Sequence, residues 1–333
     1  MSVLRNIVFY LIILVATVVT LLSLASLIYD VSYWYTKVLD FPRTQYLIVA
    51  VISLMLFVAL NRKWRAPAIA LTLGLVATIA IQSYDVLPYL IGKKQVTDRE
   101  AGSVDEGRTV GIMLANVLIT NRKAQDFLEI VRERDPDMLL VMEVDDWWMT
   151  QLQPLADRYQ HSMTYPTDNA YGMALYSKYP LSEAETKFFN LPDVPSFHAT
   201  VSLPSGERFR FHGMHPVAPV PSKKYPDNQG EKEVAFGKLA EMLADESLPV
   251  VVAGDYNDVS WSHTARLFQD KGQLANVRIG RGLYNSFDAQ SWVMRWPLDH
   301  FFVSPRFSVV ELDRLEAFGS DHFPMYARLA LEE

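Results

Sequence analysis

The chain has 333 residues, 50% of them hydrophobic, a formal net charge of −7 and no cysteine. The missing thiols exclude disulfides, thiolate zinc sites and cysteine nucleophiles. The acidic balance disfavours extended, unspecific binding of nucleic acid, because like charge repels a polyanion at long range.

Apolarity is concentrated at the amino end. Residues 7–28 form a charge-free apolar run, which meets the roughly 20 residues a helix needs to cross a bilayer. Residues 45–61 and 67–90 do so with help from their flanks. A cleaved signal peptide would have a shorter apolar core and no further apolar segments after it. The expectation is a three-helix transmembrane anchor over residues 1–94, multi-pass in the cell (inner) membrane. Arg62, Lys63 and Arg65 crowd the second loop, and Arg5 precedes the first span. The first loop sets Lys37 and Arg43 against Asp30 and Asp40 and holds Tyr33, Trp34 and Tyr35, which suit a membrane interface. Positive loops stay in the cytoplasm, so three spans put the rest of the chain outside it, with Lys93 and Lys94 opposing. Residues 95–107 are polar and charged and read as a linker. Residues 108–333 suffice for one domain with its own core.

Within that domain an apolar strand over 108–114 ends at Ala115-Asn116. A helix follows over 122–134, with Ala124, Phe127, Leu128 and Val131 on one face. Residues 138–142 form a second buried strand, ending at Glu143. A helix is predicted over 147–159, then strands over 161–165, 173–177 and 183–189. Strands over 198–203 and 209–214 pair as a hairpin through Pro204-Ser205-Gly206-Glu207, and the second ends in His215-Pro216. A proline-rich loop over 216–227 carries Lys223 and Lys224. A helix over 229–243 leads into the β-branched run Val250-Val251-Val252, which breaks at Gly254 into Asp255-Tyr256-Asn257. Side chains alternate along an extended chain, so Asp255 and Asn257 can point the same way. A short helix over 262–271 is followed by an irregular stretch, 280–297, holding Trp292 and Trp296, which could stack on a base, touch lipid or pack. Strands over 298–304 and 308–312 and a last one over 323–329 complete the chain. Asp299 lies near the start of the first, and Asp321-His322 precede the last. Hairpins alternate with strand–helix–strand units, which fits an α+β fold of two packed mixed β-sheets with helices outside.

Strand ends thus present Asn116, Glu143, His215, Asp255 with Asn257, and Asp321 with His322, while Asp299 sits at a strand start. Turn chemistry alone accounts for any one of them, but not for the repetition. Carboxylates and amides with few imidazoles suit a hard, oxygen-loving cation such as Mg²⁺ or Mn²⁺. His198 and His212 fall inside strands and His300 among apolar neighbours, so these read as structural. Lys223 and Lys224 read as solvated, with a clamp on an anionic substrate as the alternative.

The stretches Leu114-Ala115-Asn116-Val117, Asp135-Pro136-Asp137 leading to Val141-Met142-Glu143-Val144, 172–180, His215-Pro216, Gly254-Asp255-Tyr256-Asn257, Leu298-Asp299 with its strand, and Gly319-Ser320-Asp321-His322-Phe323-Pro324 occur in this order. In this the chain resembles the endonuclease/exonuclease/phosphatase superfamily, and within it the bacterial membrane-anchored branch, over about residues 108 to 330. The resemblance implies a four-layer α/β/β/α sandwich and a metal-dependent phosphoric ester hydrolase. It implies Glu143 as the main metal ligand, with Asn116 and Asp321 near the metal or the phosphate. It implies Asp255 as the base toward water and Asn257 as a holder of that water or of a phosphate oxygen. His322, oriented by Asp299, would touch the phosphate, and His215 would touch a phosphate oxygen or protonate the leaving group. The expected activity is hydrolysis of a phosphodiester, a lipid head group or another phosphorylated substrate. A metal-dependent endo- or exonuclease is the alternative, so nucleic acid is a possible but disfavoured partner. A catalytically silent binding or scaffold protein is the second alternative.

Overall fold

The computed structural model describes residues 2–29, 33–227 and 234–333. Asp30, counted above in the first loop, and residues 229–233 of the predicted helix lie outside them. Three helices are long and apolar enough to cross a membrane: α1 (Ser2–Ala25), α3 (Arg43–Leu60) and α4 (Ala66–Ile91). A single helical turn, α2 (Trp34–Lys37), lies between the first two.

The remaining elements are β1 (Thr109–Asn116), α5 (Ala124–Arg134), β2 (Met138–Met142), α6 (Asp146–Leu152), β3 (His161–Tyr165), β4 (Met173–Ser177), β5 (Leu181–Lys187), β6 (Ser196–Ser202), β7 (Arg208–Met214), α7 (Ala235–Leu243), β8 (Val250–Asp255), α8 (His263–Gly272), β9 (Ala275–Asn276), β10 (Asp299–Val303), β11 (Phe307–Arg314) and β12 (Met325–Leu331). The helix predicted over 147–159 is α-helical only to Leu152, where the Gln153–Asp157 stretch tightens to a 3₁₀ turn. Pro154 at its start has no N–H to continue the α ladder.

The strands form two six-stranded mixed sheets, ordered β11-β12-β1-β2-β4-β3 and β5-β6-β7-β8-β10-β9. Between them lies a dry core in which Ile112, Leu114, Leu140 and Met142 meet Phe197, Phe211, Val251 and Phe301. The outer face of the first sheet is covered by α5 and α6 through Phe127, Val131, Trp148 and Leu152. The second sheet is covered by α7 and α8 through Phe236, Leu239 and Phe268. This is the four-layer α/β/β/α sandwich. Covered on both faces, β1, β2, β4 and β8 are buried along their whole length, whereas edge strand β5 is largely exposed.

Each sheet places a parallel pair at its centre, β1 with β2 and β7 with β8. The crossovers carry α5 and α7. Side chains at the carboxyl ends of parallel strands face a crevice that neither the sheet nor the crossover helix fills. Asn116, Glu143, His215 and Asp255 all occupy such ends.

The stretch expected as a linker lies against this body. Asp98 bridges in parallel to Val309, Arg99 N–H donates to Val309 O at 2.9 Å, and Val96 is buried in the inter-sheet core. The apolar helices touch it as well. Trp261 Nε1 donates to the Asp40 carbonyl at 2.7 Å, and the Tyr89 hydroxyl donates to Ser260 O at 2.7 Å. Phe41, Tyr89, Val259, Trp261 and Leu298 form one apolar cluster. Arg43 is buried between Asp40 at 2.6 Å and Asp85 at 2.7 Å, and Asp85 also pairs with Arg266 of α8.

Candidate active site

β8 delivers Asp255 into the seam between the sheets, fully buried. Its own N–H reaches across to Met142 Sδ at 3.1 Å. Gly254 precedes it with φ +147°, and a Cβ there would fall 1.9 Å from the Met214 carbonyl. Only glycine lets β7 and β8 approach so closely at this point. One carboxylate oxygen accepts from Asn257 N–H at 2.8 Å, and the other accepts from Asn116 Nδ2 at 3.0 Å. Asn116 Nδ2 also donates to Glu143 Oε1 at 2.9 Å, so one amide ties carboxylates from both sheets together. Its oxygen accepts from Leu118 N–H at 3.0 Å and is turned toward that turn.

Glu143 leaves β2 in the left-handed region, φ 63°, and Asn257 follows Asp255 in the same region at φ 50°. Strained backbone of this kind is kept where the surroundings hold a side chain for a purpose. Burial raises the Glu143 carboxyl to about 7, against the Ile119 N–H and the Asn116 amide that it accepts from, and Asp321 raises it further. Burial also raises Asp321.

His322 is buried beside three carboxylates. Nδ1 lies 2.8 Å from Asp299 Oδ2, and Nε2 lies 3.4 Å from Asp255 Oδ2. Burial alone would discharge the ring, but Asp299, Asp255 and Asp321 outweigh it and hold it protonated to about 10. His215 is the opposite case. Burial lowers it to about 4, Asp255 opposes, and Nε2 stands 3.7 Å from Asp255. It is a neutral imidazole, and its Nδ1 finds no hydrogen-bond partner among the described residues. A cavity of about 230 Å³ opens here, lined by Glu143, Tyr171, His215, Asn257, Ser222 and Tyr225. A larger one of about 550 Å³ lies at the foot of α4, away from these groups.

The residues singled out from the sequence therefore converge: Asn116, Glu143, His215, Asp255, Asn257, Asp299, Asp321 and His322 form one contact network. Asp255, Asp299 and His322 bring ligand-type atoms within 4.8 Å of one another. A protonated imidazole has no lone pair on its ring nitrogens to give, so this trio is an acid–base group more than a cation cage. The pair Glu143 and Asp321 suits a divalent cation better. Both are carboxylates that burial makes costly to ionise, and each is helped by a nearby positive charge.

Three supporting residues are not among those singled out from the sequence. Ser286 Oγ accepts from the N–H groups of Leu298 and Asp299, both at 3.1 Å, and so fixes the start of β10. Buried Arg278 donates to the Asp299 carbonyl at 2.6 Å. Ser320 Oγ donates to the Asn116 carbonyl at 2.8 Å and accepts from His322 N–H at 3.0 Å. Only Ser320 stands inside a recognisable motif. His198 and His212 face each other across the β6–β7 hairpin with Nδ1 atoms 2.6 Å apart, and His300 is held by Ser260 and the Asp258 carbonyl. Lys223 and Lys224 are exposed.

Comparison with known proteins agrees with this architecture. A UPF0294 protein of Vibrio cholerae serotype O1 is 23% identical over 297 residues, which cover 81% of this chain and 99% of the relative. The human Nocturnin catalytic domain, solved with a bound sulfate anion, superposes with a TM-score of 0.54 at 18% identity, covering 72% of this chain and 97% of that one. TDP2 of D. rerio, solved with a single-strand DNA product, gives 0.51 at 17% identity, covering 66% and 98%. These two likenesses are ones of fold. The model of the Endonuclease/Exonuclease/phosphatase family matches residues 113–322. The chain belongs to that family, whose members are metal-dependent phosphoesterases or nucleases.

Proposed function

We propose that the protein is a membrane-anchored phosphodiesterase that hydrolyses its substrate by in-line attack of water, in the cell (inner) membrane with the catalytic domain outside the cytoplasm. The observation that carries the reading is the bonded run Glu143–Asn116–Asp255, drawn from two sheets and closed by the His322–Asp299 pair.

A phosphodiester is an anion that repels a nucleophile, so catalysis needs positive or neutral donors at the phosphoryl oxygens and a base beside the water. Asp255 is that base. Its carboxylate is oriented by Asn257 N–H and the Asn116 amide, and it takes the water's proton. The His322 imidazolium donates from Nε2 to a phosphoryl oxygen, with Asp299 fixing the ring through Nδ1. His215, neutral, donates a hydrogen bond. Its low basicity argues against a role as proton donor to the leaving group at neutral pH. Asn257 positions water or a phosphoryl oxygen beside the cavity. Glu143 and Asp321 hold the cation, Mg²⁺ or Mn²⁺, which when bound offsets charge on the phosphoryl oxygens. Asn116 keeps Glu143 and Asp255 apart and in place.

The test is hydrolysis of a chromogenic phosphodiester by the full chain in detergent with Mg²⁺ or Mn²⁺, with chelator, and with Asp255→Ala alongside. Chelator-sensitive turnover lost in the variant supports the reading. Turnover at the wild-type rate in Asp255→Ala refutes the assignment of the base.

A further inference from the structure

Residues 288–296 form a hairpin that ends in the most exposed aromatic side chain of the domain. Trp292 is 91% exposed, Val293 69% and Met294 48%. Isolated apolar residues on a surface need no explanation, but three in a row at a fixed tip do. The tip is not loose. Phe287 N–H donates to Trp296 O at 2.9 Å, Asp288 N–H donates to Met294 O at 3.2 Å, and Met294 N–H donates to Ser291 Oγ at 2.9 Å.

Two further contacts place it. Gln45 Nε2, in the first turn of α3, donates to the Val293 carbonyl at 2.8 Å. Gln45 is two residues inside the span, or about 3 Å along its axis at 1.5 Å per residue. The tip is therefore level with the mouth of the span. Tyr33, Tyr35, Ile28 and Ile48, close in sequence to this end of the spans, are exposed as well. Such a level is where tryptophan collects at a bilayer surface. Arg295 stands behind the tip with its guanidinium 5.5 Å from the Trp292 ring. At the other end the same hairpin is part of the site. Ala289 N–H donates to the Asp321 carbonyl at 2.7 Å, and the Phe287 ring lies 5.0 Å from the His322 ring. Phe287 stacks on Trp296, which meets Phe41 of the first loop edge-on at 5.6 Å.

We infer that the 288–296 hairpin is a lip that dips Trp292, Val293 and Met294 into the lipid surface, holding the catalytic crevice against the bilayer, so that the substrate is a phosphoester presented by a lipid. The inference rests on the membrane-anchored part of that reading for its lip and on the phosphoesterase part for its substrate.

The lip is tested without activity. The chain has no cysteine, so Trp292→Cys and, at the opposite pole, Ser205→Cys each carry a single nitroxide. In the full chain in nanodiscs of phosphatidylethanolamine and phosphatidylglycerol, the label at 292 collides more with oxygen than with a water-soluble nickel chelate, and the label at 205 does the reverse. Equal chelate access at both positions overturns the lip. The substrate class is tested with Trp292→Ser/Met294→Ser, as the ratio of phospholipid hydrolysis in vesicles to hydrolysis of a soluble chromogenic diester. A fall of about tenfold in that ratio supports it. An unchanged ratio overturns it, as does wild-type turnover of the soluble diester with none of the phospholipid. Selective loss of single-stranded oligonucleotide cleavage also overturns it, in favour of base stacking on Trp292.

Discussion

Replacing Asp299 by Asn keeps the shape of its side chain and removes one of the charges that hold His322 protonated. The bond concerned is 2.8 Å long, and both partners are buried. A hydrogen bond to a charged group is worth about 1.5–3 kcal/mol. At 1.36 kcal/mol per unit, its loss lowers the imidazolium by about one to two units from its value of about 10. Asp255 and Asp321 remain, so the ring does not fall to its unperturbed range. In the mechanism proposed above, the acid form is the one that serves a phosphoryl oxygen. The wild type should lose activity as pH rises through about 10, and in the variant that alkaline limb should move down by about one to two units. The ring also loses the charged partner that fixes its orientation, so kcat at pH 8 falls by about 10²-fold. The same shift acts on stability. A base raised above its unfolded value of about 6.5 stabilises in full below that pH and loses the contribution as pH rises through its folded value, so Asp299→Asn has less of this stability near neutral pH and less of it left to lose to alkali. The assay is a kcat profile of the full chain on a soluble chromogenic phosphodiester from pH 6 to 10.5, with Tm followed in parallel. A limb at the wild-type position with kcat within about twofold would refute the pairing of Asp299 with His322 as a functional device.

Three other expectations concern the frame around the site. Burial holds His198 neutral down to about 3, so the folded state resists a proton that the unfolded chain accepts below about 6.5; lowering pH from 7 to 5 costs about 2 kcal/mol through this ring alone, and a Tm flat over that range would contradict it. Gly254→Ala puts a methyl group 1.9 Å from the Met214 carbonyl at φ +147° and is expected to cost about 4 kcal/mol or more, read as loss of folded protein by near-UV circular dichroism; a Tm within about 2 °C of wild type would refute the close approach. Arg43→Met strands Asp40, which burial already raises to about 6, and Asp85 without their shared cation; breaking a buried pair costs about 3–5 kcal/mol, and faster proteolysis of the 29–43 segment in detergent is the readout, with unchanged cleavage counting against the network.

How far the sequence discloses this site follows from what each residue must do. Asn116, Glu143, Asp255 and His322 are polar residues that interrupt apolar or glycine-marked strands, and an apolar strand has no packing reason to end in a carboxylate. Their convergence is a property of topology: β1–β2 and β7–β8 are parallel pairs, so their carboxyl ends meet at one seam. That pairing is not written in strand periodicity. Ser286 and Arg278 were invisible because they act by holding the backbone of Asp299, and a serine or arginine in an irregular stretch has many other uses. The 95–99 segment was read as linker from its polarity, yet Val96 alone carries enough apolar surface to tie it to the core. The helix predicted over 147–159 was legible in its amphipathic part and was cut short by Pro154.

The seam also explains why the site is polar and yet buried. Asp255 and Asp299 face each other across β8 and β10, and Glu143 and Asp321 approach from the other sheet. Burial raises the proton affinity of Glu143 and Asp321, and the neighbouring carboxylates raise it further. The fold answers with the His322 imidazolium, whose charge is paired to Asp299 and Asp255. On the other side of Asn116, Glu143 and Asp321 have no comparably close cationic partner among the described residues. The proposed division follows from charge: the Asp299 side is neutralised by the chain itself, and the Glu143 side is the one proposed to take a cation. Binding of Mn²⁺ by the full chain should accordingly survive Asp299→Asn and be lost in Glu143→Gln, by calorimetry, and the reverse pattern would move the cation to the Asp255–Asp299–His322 trio.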